Sequence, residues 1–427
     1  SGRETKMHMT GFKCVQCEAE QPKNFGRFVC PSCGGNLDVM YDYDAIRAGL
    51  DHEYPFPSDR QDIFKYLPLL PLNDVALAPP LRIGATPLYR ASRLGASVGL
   101  KNLYVKDDGL NPSASFKDRA SSVTLTKARE LGAKFVAGAS TGNAGSSMAC
   151  MSASVGAPCV IFVPEKAPAA KIAQLLIFGA QVIAVRGTYD DAFDLCYRFC
   201  EKHHWFNRNT GFNPYTREGK KTCSFEVCEQ LNWEAPDWIA VSSGDGNILS
   251  GIWKGLKDLH RVGLIKKLPR LICAQSEQSS AITQTVGNVR KAWHGAAPVD
   301  WKQVKVVNVQ ATTVADSISV DIPRDGLAAV RAVIESDGAA VTVSDSEIIA
   351  AIPELARQAG VFSEPAAACT WACVKKAARE SVIAPDETVV CVLTGNGLKD
   401  IAGALKAVGE PVKIDPTVEA AEKALKI

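Results

Sequence analysis

Asn111-Pro112-Ser113-Ala114-Ser115-Phe116-Lys117-Asp118-Arg119 sets a lysine just behind a turn, where a helix can start. An exposed lysine is ordinarily a solvated charge. A lysine partly withdrawn from water can lose its proton and become the nucleophile that a Schiff base needs. Two later segments fit that chemistry. Ser140-Thr141-Gly142-Asn143-Ala144-Gly145 is a polar, glycine-flanked loop at the mouth of a helix. Asn143 reads either as an ordinary N-cap or as part of a site where free backbone N–H groups bind an anion. Gly244-Asp245-Gly246-Asn247-Ile248 lies between a buried strand and a helix, where α/β sheets bind phosphate. A plain strand–helix turn is the alternative, and the absence of a GxGxxG pattern argues against a dinucleotide. Thr394-Gly395-Asn396-Gly397-Leu398-Lys399-Asp400 closes a further buried strand, and its hydroxyl can face a heteroaromatic ring nitrogen.

Working outward, strands and helices alternate. Strands are expected at Leu103–Lys106, Phe135–Ala137, Cys159–Val163, Gln181–Val185, Trp238–Val241, Leu271–Ala274 and Thr388–Leu393. Helical spacing covers Phe116–Leu131, the stretch from Asn143 through Ser154, Lys171–Phe178 and Tyr189–His203. A further helix after Asn247 puts Ile248, Ile252 and Leu256 on one face. Ser346–Gln358 reads as a helix capped by Ser344-Asp345, with Pro353 a candidate break. Val304–Asp325 has no clear assignment. Apolar strands alternating with helices imply parallel sheets covered on both faces, an α/β class.

The chain has 427 residues, enough for two or three domains. Its 46% hydrophobic and 22% charged residues are those of a globular protein, and a net charge of +2 gives no reason to expect nucleic acid or an acidic membrane as partner. No apolar run reaches a membrane span, and Ser1-Gly2-Arg3-Glu4-Thr5-Lys6 lacks the apolar core of a signal peptide. Four of the 14 cysteines form the pairs Cys14-x-x-Cys17 and Cys30-x-x-Cys33, twelve residues apart. Four thiolates at that spacing can close a tetrahedral structural zinc site, a zinc ribbon flanked by short strands at Arg27–Val29 and Asn36–Val39. Free thiols or two disulfides are the alternative. The other ten cysteines are scattered through apolar stretches, which points to a reducing compartment, the cytoplasm. His203-His204 has no partner spacing and reads as surface.

Ser115-Phe116-Lys117-Asp118-Arg119, Thr141-Gly142-Asn143, Gly244–Asn247 and Thr394–Asp400 together resemble the signature set of the threonine synthase family, within the pyridoxal-phosphate (PLP) enzymes of the tryptophan synthase β-subunit fold type. Gly84-Ala85-Thr86-Pro87-Leu88 and Asn213-Pro214-Tyr215 with Glu218-Gly219-Lys220-Lys221-Thr222 extend the likeness, which covers roughly Gly84 to Asp400. The resemblance implies two doubly wound α/β domains of PLP fold type II with the cofactor between them, plus an N-terminal zinc-ribbon-like unit. The expected division is 1–45 for the zinc unit, 46–85 for a proline-rich connector, 86–122 with 214–427 for the large domain and 123–213 for the small one.

The resemblance also implies roles. Lys117, beside Phe116, would carry PLP and move protons at the substrate. Asn143 would bond the ring hydroxyl. Gly244, Asp245, Gly246, Asn247 and Ile248 would grip the cofactor phosphate, and Thr394 would face the pyridine nitrogen. Ser140 and Thr141 would hold the substrate carboxylate, with Ser115, Lys171 and Arg119 candidates for a departing phosphate. Cys14, Cys17, Cys30 and Cys33 would hold zinc. The implied substrate is O-phosphohomoserine, the product threonine and the assembly a homodimer. The chain departs from the family pattern at Ala114 (usually glycine), at Ala144 (often a hydroxyl residue) and across Ala315–Arg324. Those departures keep three other readings open. One is a relative redirected to O-phosphoserine and sulfite, as in cysteate synthase. Another is an amino-acid dehydratase. The last is a zinc-ribbon binding module on a catalytically dead PLP fold.

Overall fold

A computed structural model describes residues 7–51, 53–293 and 298–426. Three sheets organise them. At the N-terminus β1 (Met9–Cys14), β2 (Glu20–Pro22) and β3 (Leu37–Tyr41) form an antiparallel sheet in the order β2-β1-β3. β4 (Leu88–Arg90) and β5 (Asn102–Asp107) begin a second sheet. The chain then leaves it to build a third, parallel sheet from β6 (Val136–Ala139), β7 (Cys159–Pro164), β8 (Gln181–Val185) and β9 (Phe206–Asn207), ordered β8-β7-β6-β9. It returns with β10 (Trp238–Ser242), β11 (Arg270–Ser276), β12 (Ala339–Val343) and β13 (Thr388–Leu393). The second sheet becomes six-stranded, β12-β11-β10-β13-β5-β4, with only β4 antiparallel.

Sequence decides which strands are central. β13 reads Thr-Val-Val-Cys-Val-Leu, and its last five residues are all buried, as a strand covered on both faces requires. β8 reads Gln-Val-Ile-Ala-Val, yet most of it is exposed because it is an edge strand of the smaller sheet. The connector is apolar where it touches the body: Ile63, Phe64, Tyr66, Leu69, Leu70 and Leu72 are buried along and just beyond a 3-10 turn at Ile63–Leu69. No helix among the described residues is long and apolar enough to cross a membrane. All fourteen cysteines are free thiols.

Three expectations change. Arg27–Val29 is not a strand; only Val29 bridges to Asn36, and β3 pairs instead with β1. A register shift between Met9 and Gly11 hides the period-two pattern of β1 from the sequence. Pro353 does not break its helix, which runs Asp345–Ala359 between a Ser344–Glu347 capping box and Gly360. Burial of Ile348, Ile352 and Leu355 against the helix Pro365–Arg379 outweighs the one lost bond. The helix expected at Lys171–Phe178 is shifted to Ala169–Leu176, starting directly after Pro168. Val304–Asp325 is irregular apart from a 3-10 turn at Asp316–Ile318.

Topology fixes where a ligand can sit. The chain runs from β10 outward to β11 and β12, then comes back to set β13 between β10 and β5. Strand order reverses at that point, and crevices at such reversals open at the carboxyl ends of the strands.

Candidate active site

One cleft gathers the segments that leave the carboxyl ends of β5, β6, β10 and β13. It is lined by Lys117 after β5, Asn143 after β6, Gly244–Ile248 after β10 and Thr394 after β13. Eight of the residues singled out from sequence therefore converge, although the first and last are far apart in the chain.

Lys117 is the first residue of the helix Lys117–Glu130. The loop before it is stitched to the end of β13: the Phe116 amide donates to the Thr394 carbonyl at 2.8 Å, and the Asn396 amide donates to the Ala114 carbonyl at 3.1 Å. Ala114 holds φ at 61°, a left-handed conformation that costs a β-carbon residue about 1–2 kcal/mol and explains why glycine suits this position. Burial lowers the Lys117 pKa, with Arg208 adding to it and Glu364 and Asp245 opposing. Among the described residues no carboxylate lies in ion-pair contact with its amine. A lysine so placed reaches the neutral form more easily than a surface lysine.

The turn after β10 leaves its backbone donors free. Gly246 has φ 86°, and a Cβ there would stand 2.6 Å from Ala329 Cβ. The turn opens a fifteen-residue helix, Asn247–Arg261. Among the described residues, none accepts a hydrogen bond from the backbone N–H groups of Gly244 through Ile248. Free amides at a helix N-terminus attract phosphate. Asp245 projects its carboxyl toward the cleft; burial raises its pKa, while Lys220 and Lys117 pull it back.

Asn143 begins the helix Asn143–Ser154 and donates through Nδ2 to both oxygens of Glu364, at 2.9 and 3.1 Å. Burial raises the Glu364 pKa. Thr394 faces the same space. The hydroxyls of Ser115, Ser242 and Ser363, all near the ends of β10 and β13, are buried without a partner. Buried hydroxyls without a protein partner are uncommon, and these can meet a polar ligand.

The remaining candidates are placed as follows. Phe116 is fully buried next to Lys117. Ser140 and Thr141 are half-buried in the loop before Asn143, outside the cleft lining. Lys171 is bound to Asp316 at 2.5 Å, so the added acid in the departing segment takes the cation that could have met a phosphate. Arg119 is not at the cleft surface. Its guanidinium is fully buried, on Asp108 at 2.6 and 2.9 Å and on Glu226 at 2.7 and 2.8 Å. Two residues past Lys117 on a helix is about 200° around it, so Arg119 turns away from the face the lysine presents. Sequence reasoning missed Glu364 and Lys220. Glu364-Pro365 reads only as a helix start, and Lys220 stands inside a connector pattern with no signal of its burial.

The N-terminal sheet carries a second cluster. The sulfurs of Cys14, Cys17, Cys30 and Cys33 all lie within 4.8 Å of one another. Cys14 and Cys33 are 3.5 Å apart and Cys17 and Cys30 3.6 Å, far longer than the ~2.05 Å of a disulfide. They approach the ~3.8 Å edge of a tetrahedron with metal–sulfur bonds of ~2.3 Å. This unit is tied to the cleft. Asn36 Nδ2 donates to Asp325 Oδ1 at 2.9 Å, and Asp325 also accepts from Asn247 Nδ2 at 2.8 Å, Ser250 Oγ at 2.6 Å and Arg217 at 2.5 Å. Arg217 in turn holds Asp38 of β3 at 2.9 Å.

Comparison with known proteins agrees with this geometry. Residues 80–395 match the family described as pyridoxal-phosphate dependent enzyme, so the chain is a PLP-dependent enzyme of the lyase type. The threonine synthase of Methanocaldococcus jannaschii is 37% identical over 97% of this chain and 99% of its own length. That of Methanosarcina acetivorans is 36% identical over 98% and 99%. The chain belongs to the threonine synthase family. Among solved structures, threonine deaminase isoform 2 from Solanum lycopersicum superposes with a TM-score of 0.64 at 19% identity, over 84% of this chain and 91% of that one. Maize serine racemase gives 0.61 at 21% identity, over 75% and 91%. These two share the fold.

Proposed function

We propose that the protein converts O-phosphohomoserine and water to L-threonine and inorganic phosphate. The convergence of Lys117, Asn143, the Gly244–Ile248 amides and Thr394 on one cleft carries this reading, supported by near full-length likeness to threonine synthases. The residues present fit PLP. A lysine with a lowered pKa, five amides without acceptors and buried orphan hydroxyls match its aldehyde, phosphate and ring polar atoms. When bound, PLP supplies a sink for the electrons left on the substrate carbons as protons depart.

Everything else falls to the chain. Lys117 Nζ would anchor the cofactor, take protons from the α and β carbons of the substrate as phosphate leaves the γ carbon, and return protons at the γ and α carbons while water adds its hydroxyl at the β carbon, as a desolvated amine can. The Gly244–Ile248 amides hold the cofactor phosphate. Asn143 Nδ2, which donates to Glu364, would hold the ring hydroxyl. Thr394, a hydroxyl and not a carboxylate, would face the ring nitrogen and leave it unprotonated, which suits elimination at the γ carbon and addition at the β carbon. Ser140 and Thr141 stand beside Asn143 for the substrate carboxylate. Lys171 reaches a departing phosphate only after letting go of Asp316.

The test is phosphate release by the PLP-loaded protein with O-phosphohomoserine, with the amino-acid product identified by mass. Threonine is the expected product. Phosphate released from O-phosphoserine alone, with cysteate formed when sulfite is added, would replace this reading by the redirected one.

For the four thiols we propose one structural zinc per chain, closed by Cys14, Cys17, Cys30 and Cys33 and without an open position for chemistry. Elemental analysis of freshly purified protein is expected to give one zinc per chain, and a chelator strong enough to remove it is expected to lower the melting temperature. Protein that contains no metal, or melts unchanged after losing it, would refute the site.

A further inference from the structure

Lys220 ends the helix Tyr215–Lys220 and points into the cleft beside Lys117 and the turn after β10. Its side chain is buried, 1% exposed. A buried ammonium ordinarily has a carboxylate partner, because an unpaired charge away from water is costly. The other buried lysines obey this rule. Lys106 holds Glu226, Lys127 holds Glu130, Lys375 holds Glu354, and Lys254 shares Asp258 with Lys221, which also holds Glu218. Among the described lysines with almost no exposed surface, a group that leaves out the half-buried Lys117, Lys220 is the exception. Its Nζ has one acceptor, the neutral Asn247 Oδ1 at 2.6 Å, although an ammonium offers three donors.

The arrangement is fixed. Asn247 Nδ2 is committed to Asp325, which turns Oδ1 toward Lys220. The stem of Lys220 packs so closely on the next helix that a Cβ at Gly251 would be 2.9 Å from Lys220 Cβ. An ammonium with spare donors therefore stands against a turn whose five amides also lack acceptors. A second buried cation without a carboxylate partner is close by: Arg208 donates to Thr210 at 3.0 Å and Ser121 at 3.1 Å, and its Nε has no partner. Burial, with Lys117 and Arg208 nearby, lowers the Lys220 pKa against the opposing pull of Asp245 and Asp325, neither of which is in ion-pair contact with it. This donor set suits an anion with several acceptor oxygens and more than one negative charge, a phosphate monoester.

We propose that Lys220 is the ionic partner of the cofactor phosphate, completing with Nζ the cradle that the Gly244–Ile248 amides begin. This rests on the reading of the cleft as the PLP site. A role confined to steadying Asn247 makes a different prediction, because Asn247 would be steadied equally by a neutral donor.

Equilibrium dialysis with PLP and with pyridoxal, which lacks the phosphate, separates the two. Lys220→Gln keeps a donor for Asn247 and removes the charge. It is expected to weaken PLP binding by about ten- to a hundredfold, the worth of a hydrogen bond to a charged group, with pyridoxal binding unchanged. Lys220→Arg is expected to retain most of the PLP affinity. Equal weakening of both ligands, or of neither, would overturn the proposal. Wild-type protein that binds no PLP would instead overturn the reading of the cleft. Should Lys220→Gln fail to fold, the unaltered protein decides: the phosphorus resonance of bound PLP is expected to stay that of the dianion across neutral pH, and a resonance titrating like free PLP would count against the ion pair.

Discussion

Lys117→Ala is expected to cut turnover by about a thousandfold or more while leaving the protein folded. The side chain is asked for two things at once, covalent anchorage and proton transfer, and alanine supplies neither. The fold has little at stake. Among the described residues no carboxylate depends on the Lys117 amine for an ion pair, and burial already disfavours its charge. The helix that follows is held by the pairing of its preceding loop with the end of β13, through backbone atoms. Turnover measured alongside the melting temperature checks both halves. Activity near that of the wild type would remove Lys117 from the chemistry, and a collapse of stability would show that its role is structural.

Arg119→Leu is expected to do the reverse, costing about 3–5 kcal/mol of stability. The guanidinium lies between Asp108 and Glu226, both buried, and also reaches Thr86 and Thr222. Leucine leaves these carboxylates without their cation, except that Glu226 keeps Lys106 at 2.7 Å. Burial alone would raise the Glu226 pKa, but Arg119 and Lys106 outweigh it and hold the carboxyl well below the usual range. A depressed folded pKa contributes stability that is present above the ordinary glutamate pKa of about 4.3 and is lost as pH falls below it. The variant loses much of that contribution, and its orphaned carboxylates bind protons more readily. Its deficit against the wild type is therefore expected to narrow as pH is lowered from neutral toward mild acid. Denaturant unfolding at several pH values measures this, and a deficit that widens on acidification would show that the carboxylates were never left unpaired.

The two residues are neighbours but one in sequence, and their contrast shows what a sequence can carry. Lys117 was legible because its setting is local: a turn, a following helix and an aromatic neighbour. Gly244–Ile248 was legible for the same reason, a strand running into a helix through small residues. Arg119 was misplaced because nearness in the chain suggested nearness to the ligand, while helix rotation and two distant carboxylates, Asp108 and Glu226, decided otherwise. Lys171 was expected to meet a departing phosphate, but its pairing with Asp316 spans residues that no local pattern connects. Glu364 and Lys220 were invisible because what distinguishes them is burial and the partners they have or lack. Those properties come from packing. The alternation of strands and helices survived nearly intact, since apolar periodicity reports directly on which face is covered. β1 escaped because a bulge shifted its period.

Asp325 accepts from Asn36 of the cysteine-bearing sheet, from Asn247 of the turn after β10, and from Arg217, which also grips Asp38. One carboxylate thus serves as the keystone of three pieces that meet from distant parts of the sequence. The N-terminal unit is therefore not interchangeable as a cassette. A chimaera that replaced it with another metal-binding knuckle, however well folded, would have to bring an amide at the position of Asn36 and an acid at that of Asp38, or the floor under the catalytic cleft would lose its alignment.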